Sequence, residues 1–96
     1  MYQIIKRDGK IVEFDISKIA NAIKKAFDAT ETAYTENIID FLALKVSADF
    51  IPKIKDGYVA VEDIQDSVET VLSRGGYATV AKAYIIYRKQ REKLRH

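Results

Sequence analysis

Three separated groups of cations carry the most informative chemistry in this sequence: Lys6, Arg7 and Lys10 around an Asp-Gly pair, Lys18 shortly after, and Arg88, Lys89 and Arg91 near the end. Brought together by folding, such side chains would bind a polyphosphate through charge-assisted hydrogen bonds. Left on an outer face, they only keep the domain soluble. Spacing does not decide between the two, because three clusters in a small chain need not converge. Lys18 adds a hint, since it falls in the first turn of an expected helix, where the helix dipole disfavours a cation unless an anion lies nearby. An exposed lysine that tolerates a small penalty is the other reading of it.

The acidic residues Glu62, Asp63, Asp66 and Glu69 recur at helical spacing and resemble a metal or acid/base cluster. With no histidine among them and no second acidic motif, they read as a solvated face. Glu62 and Asp63 also stabilise the positive end of a helix. Nucleophilic catalysis has no apparatus here: the chain has no cysteine, and its one histidine is the terminal His96. The four glycines form neither GxGxxG nor GxxxxGK[ST]. Any phosphate site must therefore use side-chain cations rather than a glycine-rich loop.

The elements that must position these groups follow from the pattern. Residues 2–6 and 10–14 are rich in β-branched and aromatic types and flank Arg7-Asp8-Gly9, which predicts a β-hairpin with a charged tip. Asp15 and Ser17 are both credible N-caps for an amphipathic helix built on Ile16, Ile19, Ala20, Ile23, Ala26 and Phe27. Thr35 opens a second helix toward Ile54, with Ile38, Phe41, Leu42, the Lys45 stem, Val46, Ala48 or Asp49, and then Phe50 and Ile51 at inward positions, and Pro52 ending or kinking it. Lys55-Asp56-Gly57 is a turn before Tyr58-Val59-Ala60-Val61, a short segment able to add a third strand. A third helix begins near Glu62 with Ile64, Val68, Val71 and Leu72 inward, and Gly75-Gly76 stops it. A last helix runs from about Tyr77 to Leu94 with Val80, Ala81, Tyr84, Ile85 and Tyr87 or Arg88 inward. A sheet this small cannot stand alone, so the expected class is α+β, mainly helical: a four-helix bundle covered by a β-hairpin or three-stranded sheet.

At 96 residues, 48% hydrophobic and 31% charged, the chain supports one modest core and one domain. The net charge of +2 is too small to argue for nucleic acid, but it hides an asymmetry. From residue 82 onward six basic side chains (Lys82, Arg88, Lys89, Arg91, Lys93, Arg95) face one acid, Glu92. No apolar run approaches the roughly 20 residues of a membrane span, and the N-terminus lacks a signal-peptide layout. The expectation is a cytoplasmic domain.

Two blocks then carry a resemblance. Ile5-Lys6-Arg7-Asp8-Gly9-Lys10-Ile11-Val12-Glu13-Phe14-Asp15, followed by Lys18-Ile19, is similar to the opening motif of the ATP-cone domain, the nucleotide-binding regulatory module of ribonucleotide reductases. Val61 to Glu69, and Gly76-Tyr77 through Val80 to Arg88, resemble that family's later helices. The resemblance covers essentially all of residues 1–96 as a single such domain, and it is closest to cones at the N-terminus of anaerobic, glycyl-radical reductases. The module also occurs on a bacterial repressor of reductase genes, but that protein carries a cysteine-rich zinc ribbon and this chain has no cysteine.

The resemblance implies a domain without a catalytic site, either part of a reductase or free-standing. It implies ATP or dATP bound beneath the hairpin lid, with Mg²⁺ helping to neutralise the phosphates, as an overall activity switch. ATP permits activity, and dATP shuts it down through a nucleotide-dependent oligomer or a change in mobility. The expected partner is a ribonucleotide reductase catalytic domain or subunit. Lys6, Arg7 and Lys18 match phosphate-contacting positions, Ile4 or Ile5 would lie against the adenine, and Gln65 stands near the nucleotide. Arg88, Lys89 and Arg91 are alternatives for closing the phosphate site. Val12 stands where some members have a glutamate. The alternative function is a nucleic-acid-binding or transcription-regulatory module using the basic final helix.

Overall fold

The computed structural model describes residues 2–94; Arg95, counted above in the basic tail, and His96 lie outside the described residues. Strand β1 (Gln3–Ile5) and strand β2 (Ile11–Glu13) form the hairpin. Helix α1 (Ile16–Ala29) and helix α2 (Glu36–Phe50) follow, then a 3₁₀ turn over Ile51–Lys53 and strand β3 (Tyr58–Ala60). Helix α3 (Val61–Arg74) and helix α4 (Ala78–Leu94) complete the chain. The sheet order is β2-β1-β3, with β1 antiparallel to β2 and parallel to β3. α1 packs on α2 and α4, and α3 packs on the same two helices, which closes a four-helix bundle. The α+β, mainly helical architecture expected from the sequence is the one observed.

Local chemistry explains the boundaries. Asp15 rather than Ser17 is the N-cap of α1: its Oδ1 accepts from the Ser17 backbone N–H (3.0 Å) and from the Ser17 hydroxyl (2.6 Å). Thr35 caps α2 by accepting from the Ile38 N–H at 3.2 Å. Pro52 ends α2 at Phe50 and sits in the 3₁₀ turn, where its missing N–H does no harm.

The two Asp-Gly pairs make different turns. Asp56 and Gly57 both take positive φ (53° and 83°), and Lys55 and Tyr58 exchange both backbone hydrogen bonds around them, the geometry of a two-residue hairpin loop. At the lid tip only Gly9 takes positive φ (86°). Its N–H reaches the Lys6 carbonyl, and the loop closes one residue later, at Lys10. Arg7 is thereby held at the turn instead of in a strand.

The core runs through all four helices. Ile23, Phe27, Ile39, Val46, Phe50 and Leu72 are fully buried. The sheet joins it through Val59, which is also buried, and through an aromatic triangle. Tyr2, Phe14 and Phe50 have ring centroids 4.7 to 5.8 Å apart, so the open end of the hairpin is fastened to the end of α2.

One expected face needs correction. In α2 the buried set is Ile39, Leu42, Ala43, Val46 and Phe50, whereas Ile38 (36%), Phe41 (56%) and, in the following turn, Ile51 (55%) are exposed, together with Leu44 (62%). The helix is apolar on more than one side, with paired neighbours at Ile38-Ile39 and Phe41-Leu42, so periodicity alone does not choose the inward member of each pair. Contact with α1 and α3 chooses it.

This register makes a stability prediction. Phe50→Ala should cost about 3–5 kcal/mol of unfolding free energy, because it empties a fully buried site. Phe41→Ala should change it by no more than about 0.5 kcal/mol. Urea denaturation of the two variants checks the assignment.

Candidate nucleotide site

Beneath the sheet lies a cavity of about 360 Å³, within the range of small-molecule sites. Ile4 and Val12 of the sheet form its roof. Asp15, Lys18, Ile19 and Ala22 of α1, Val61, Ile64, Gln65 and Val68 of α3, and Tyr84, Tyr87 and Arg91 of α4 form its walls. Lys6 and Arg7 enter from the lid turn. The cavity thus has an apolar interior with cations from three different elements, Lys6, Arg7, Lys18 and Arg91, and two acids, Glu13 and Asp15.

The structure brings together Ile4, Lys6, Arg7, Lys18, Gln65 and Arg91 among the residues singled out by sequence. Ile5, Arg88 and Lys89 do not line the cavity. Side chains alternate along a strand, so with Ile4 facing inward Ile5 faces out, at 39% exposure. Arg88 is occupied elsewhere: its Nη1 donates to Asp66 (2.7 Å) and to Glu69. Burial penalises the Arg88 charge, but its hydrogen bonds to the two carboxylates outweigh that and hold it firmly protonated. Lys89 is exposed.

The acids read from sequence as a solvated face are all engaged. Glu62 meets Arg7 (3.2 Å), Asp63 meets Lys53 (3.9 Å), and Asp66 and Glu69 share Arg88. Helical spacing showed that they share a face but not that α4 and the lid supply partners for it. Among the described residues no group of His, Cys, Asp or Glu is arranged to hold a metal ion.

Charges of both signs stand at the cavity, and their surroundings differ. Lys18 forms no ion pair among the described residues and projects from the first turn of α1, whose first turn holds no acid. Asp15 beside it is held below its ordinary range by the Ser17 hydroxyl and backbone hydrogen bonds, with a smaller contribution from Lys18. Tyr84 is deeply buried, which pushes its phenol well above the ordinary 10 and keeps it neutral. Arg91 lies 5.8 Å from the Tyr87 ring centroid, steadied by cation–π attraction. Tyr84 and Tyr87 are wall residues that sequence reading left as core. Their signal is present in the spacing, since 84, 87 and 91 are i, i+3 and i+7 and so share one face of α4 with a site cation.

Comparison with known proteins gives a consistent family. The ATP cone domain matches residues 2–93. The chain is 40% identical over 93 residues to a vitamin B12-dependent ribonucleoside-diphosphate reductase of Mycobacterium tuberculosis, covering 97% of this chain and 13% of the relative. It is 38% identical over 98 residues to a ribonucleoside-diphosphate reductase subunit alpha of Chlamydia pneumoniae, covering 96% and 9%. It is 36% identical over 91 residues to an anaerobic ribonucleoside-triphosphate reductase of Haemophilus influenzae, covering 95% and 13%. The chain therefore spans about a tenth of the length of these curated relatives.

Two stability measurements test the charge assignments. Arg88→Met should destabilise the fold by about 1–2 kcal/mol, less than for a fully buried pair because Asp66 is half in water. For Asp15, a carboxyl with a lowered folded pKa contributes stability above the ordinary value of 3.8 and loses it as pH falls through the folded value. Asp15→Asn should accordingly be less stable than the parent at pH 7, and the gap should close below pH 3.8.

Proposed function

The chain belongs to the ATP-cone domain family, and from that premise we propose that residues 1–96 form one allosteric adenine-nucleotide-binding domain that regulates a ribonucleotide reductase. The observation that carries this reading is the convergence of Lys6, Arg7, Lys18 and Arg91 on one cavity with an apolar interior. Such a site suits a ligand with a flat apolar base at one end and several negative charges at the other. Ile4 and Val12 offer the surface for adenine, Lys6, Lys18 and Arg91 take the phosphates, and Gln65 stands at the lid edge of the site. Mg²⁺ would travel with the triphosphate, neutralising part of its charge.

ATP and dATP differ by one 2′-hydroxyl. A buried polar partner left unpaired costs roughly 1–3 kcal/mol, enough to bias a two-state element about tenfold or more. The lid is that element: it is short, and Arg7 ties its tip to the helices through ion pairs and a hydrogen bond. The reading assigns no reaction to this chain. It makes the chain's partner a reductase catalytic domain or subunit in the cytoplasm, with nucleotide choice changing assembly or mobility. The relatives include B12-dependent, alpha-subunit and anaerobic reductases at 36–40% identity, and the anaerobic enzyme is the assembly to try first. A nucleic-acid contact would need the basic residues of α4 on one open face, but Arg88 turns to Asp66 and Glu69, and Arg91 lines the cavity.

Calorimetry with ATP and dATP in parallel tests the proposal. Saturable binding is expected, weakened about tenfold by Lys6→Ala, Lys18→Ala or Arg91→Ala, since each removes a charge-assisted hydrogen bond. Lys89→Ala should leave the affinity unchanged. No heat with either nucleotide at millimolar concentration would sink the reading.

A further inference from the structure

Arg7 reaches from the lid to two helices. Its Nη1 lies 3.2 Å from Glu62, and its Nη2 donates to the Gln65 Oε1 at 2.8 Å and lies 2.6 Å from Glu92. Glu62 and Gln65 belong to the first turns of α3, and Glu92 to the last turn of α4. A single guanidinium thus fastens the tip of the hairpin to the ends of two helices, while also lining the cavity.

The two acids differ in what else holds them in place. Glu62 sits at the positive end of α3, where the helix dipole favours a carboxylate whether or not Arg7 is present. Glu92 sits at the negative end of α4, where the dipole disfavours an acid. It is also the only acid from residue 82 onward, between Arg91 and Lys93. Arg88, four residues back, is taken by Asp66 and Glu69. The placement of Glu92 is explained by Arg7, its ion-pair partner among the described residues and the closer of the two acid contacts Arg7 makes.

A guanidinium bound this way is not free for a phosphate. An anion that engages Arg7 from the cavity side must share its fork with Glu92 or displace it, and a carboxylate left beside a triphosphate is repelled. We infer that Glu92 sets the affinity of the site: it holds Arg7 and the lid in the nucleotide-free state and is released when phosphate takes the guanidinium. Nucleotide occupancy is then coupled to the last turn of α4. By linkage, whatever draws that turn away from the lid strengthens nucleotide binding, and the nucleotide loosens the turn to the same extent. This inference rests on the nucleotide reading above.

Glu92→Gln keeps the shape and removes the charge. It should tighten ATP binding about threefold, the scale of one partly exposed ion pair. In an Arg7→Met background the same substitution should change nothing, because the pair is already gone. Equal tightening in both backgrounds would show a general charge effect and overturn the inference, as would unchanged or weaker ATP binding by Glu92→Gln alone. A second measurement needs no nucleotide: amide hydrogen exchange over residues 6–10 and 89–93 should accelerate in Glu92→Gln, and unchanged exchange overturns the clasp. Parent protein that binds neither ATP nor dATP overturns the nucleotide reading and the coupling with it, even if exchange establishes the clasp. Parent binding with an unaltered Glu92→Gln affinity overturns the inference alone.

Discussion

Three strands of three residues each have little stability of their own, so the lid depends on the aromatic contact that fastens its open end to the bundle. Tyr2 and Phe14 lie at the open end of the hairpin, and Phe50 closes α2, so the triangle joins the chain's first strand pair to the middle of the fold. β3 adds a parallel partner to β1, with the Gln3 N–H also reaching the Gly57 carbonyl at 2.8 Å. These contacts fix the open end. The turn end projects over the cavity, and the side-chain contacts that tie it to the helices are polar.

That asymmetry separates two kinds of interaction along one element. The aromatic contacts are short-ranged and little affected by salt, so they hold the sheet in register under all ordinary conditions. The Arg7 contacts are partly exposed, individually modest and open to competition from any anion able to reach the same fork. The lid is therefore fastened by apolar residues at its open end and by charged and polar residues at its tip. Arg88, by contrast, is engaged between α3 and α4 by two carboxylate partners and does not line the cavity.

Much of this was legible in the sequence. The hairpin, the Thr35 cap, the interruption at Pro52 and the stripe Ile64, Val68, Val71 and Leu72 depend on local chemistry, and the structure shows each of them, while it chooses Asp15 from the two caps, Asp15 and Ser17, that the sequence offered for α1. The inward face of α2 was not legible, because the helix is apolar on both sides and only its neighbours select Ile39 over Ile38 and Leu42 over Phe41. The choice between Ile4 and Ile5 was left open for a related reason. A strand alternates, but which parity faces the bundle is set by what packs beneath it.

The cations show the same division between what the chain holds locally and what folding decides. Residue types and their order along the chain determined that any phosphate site here must be built from Lys and Arg side chains, since the sequence contains no phosphate-binding glycine loop and no cysteine, and its one histidine is the terminal His96. They also placed Lys18 at a helix start, a cost that calls for an explanation. Only the tertiary structure decided which cations meet. Arg88 and Arg91 are three residues apart on one helix, yet one is neutralised by α3 and the other lines the cavity. Helical periodicity rotates neighbours by 100° per residue, but whether an acid or a void lies opposite each direction depends on the packing of distant segments, and a linear pattern does not record it.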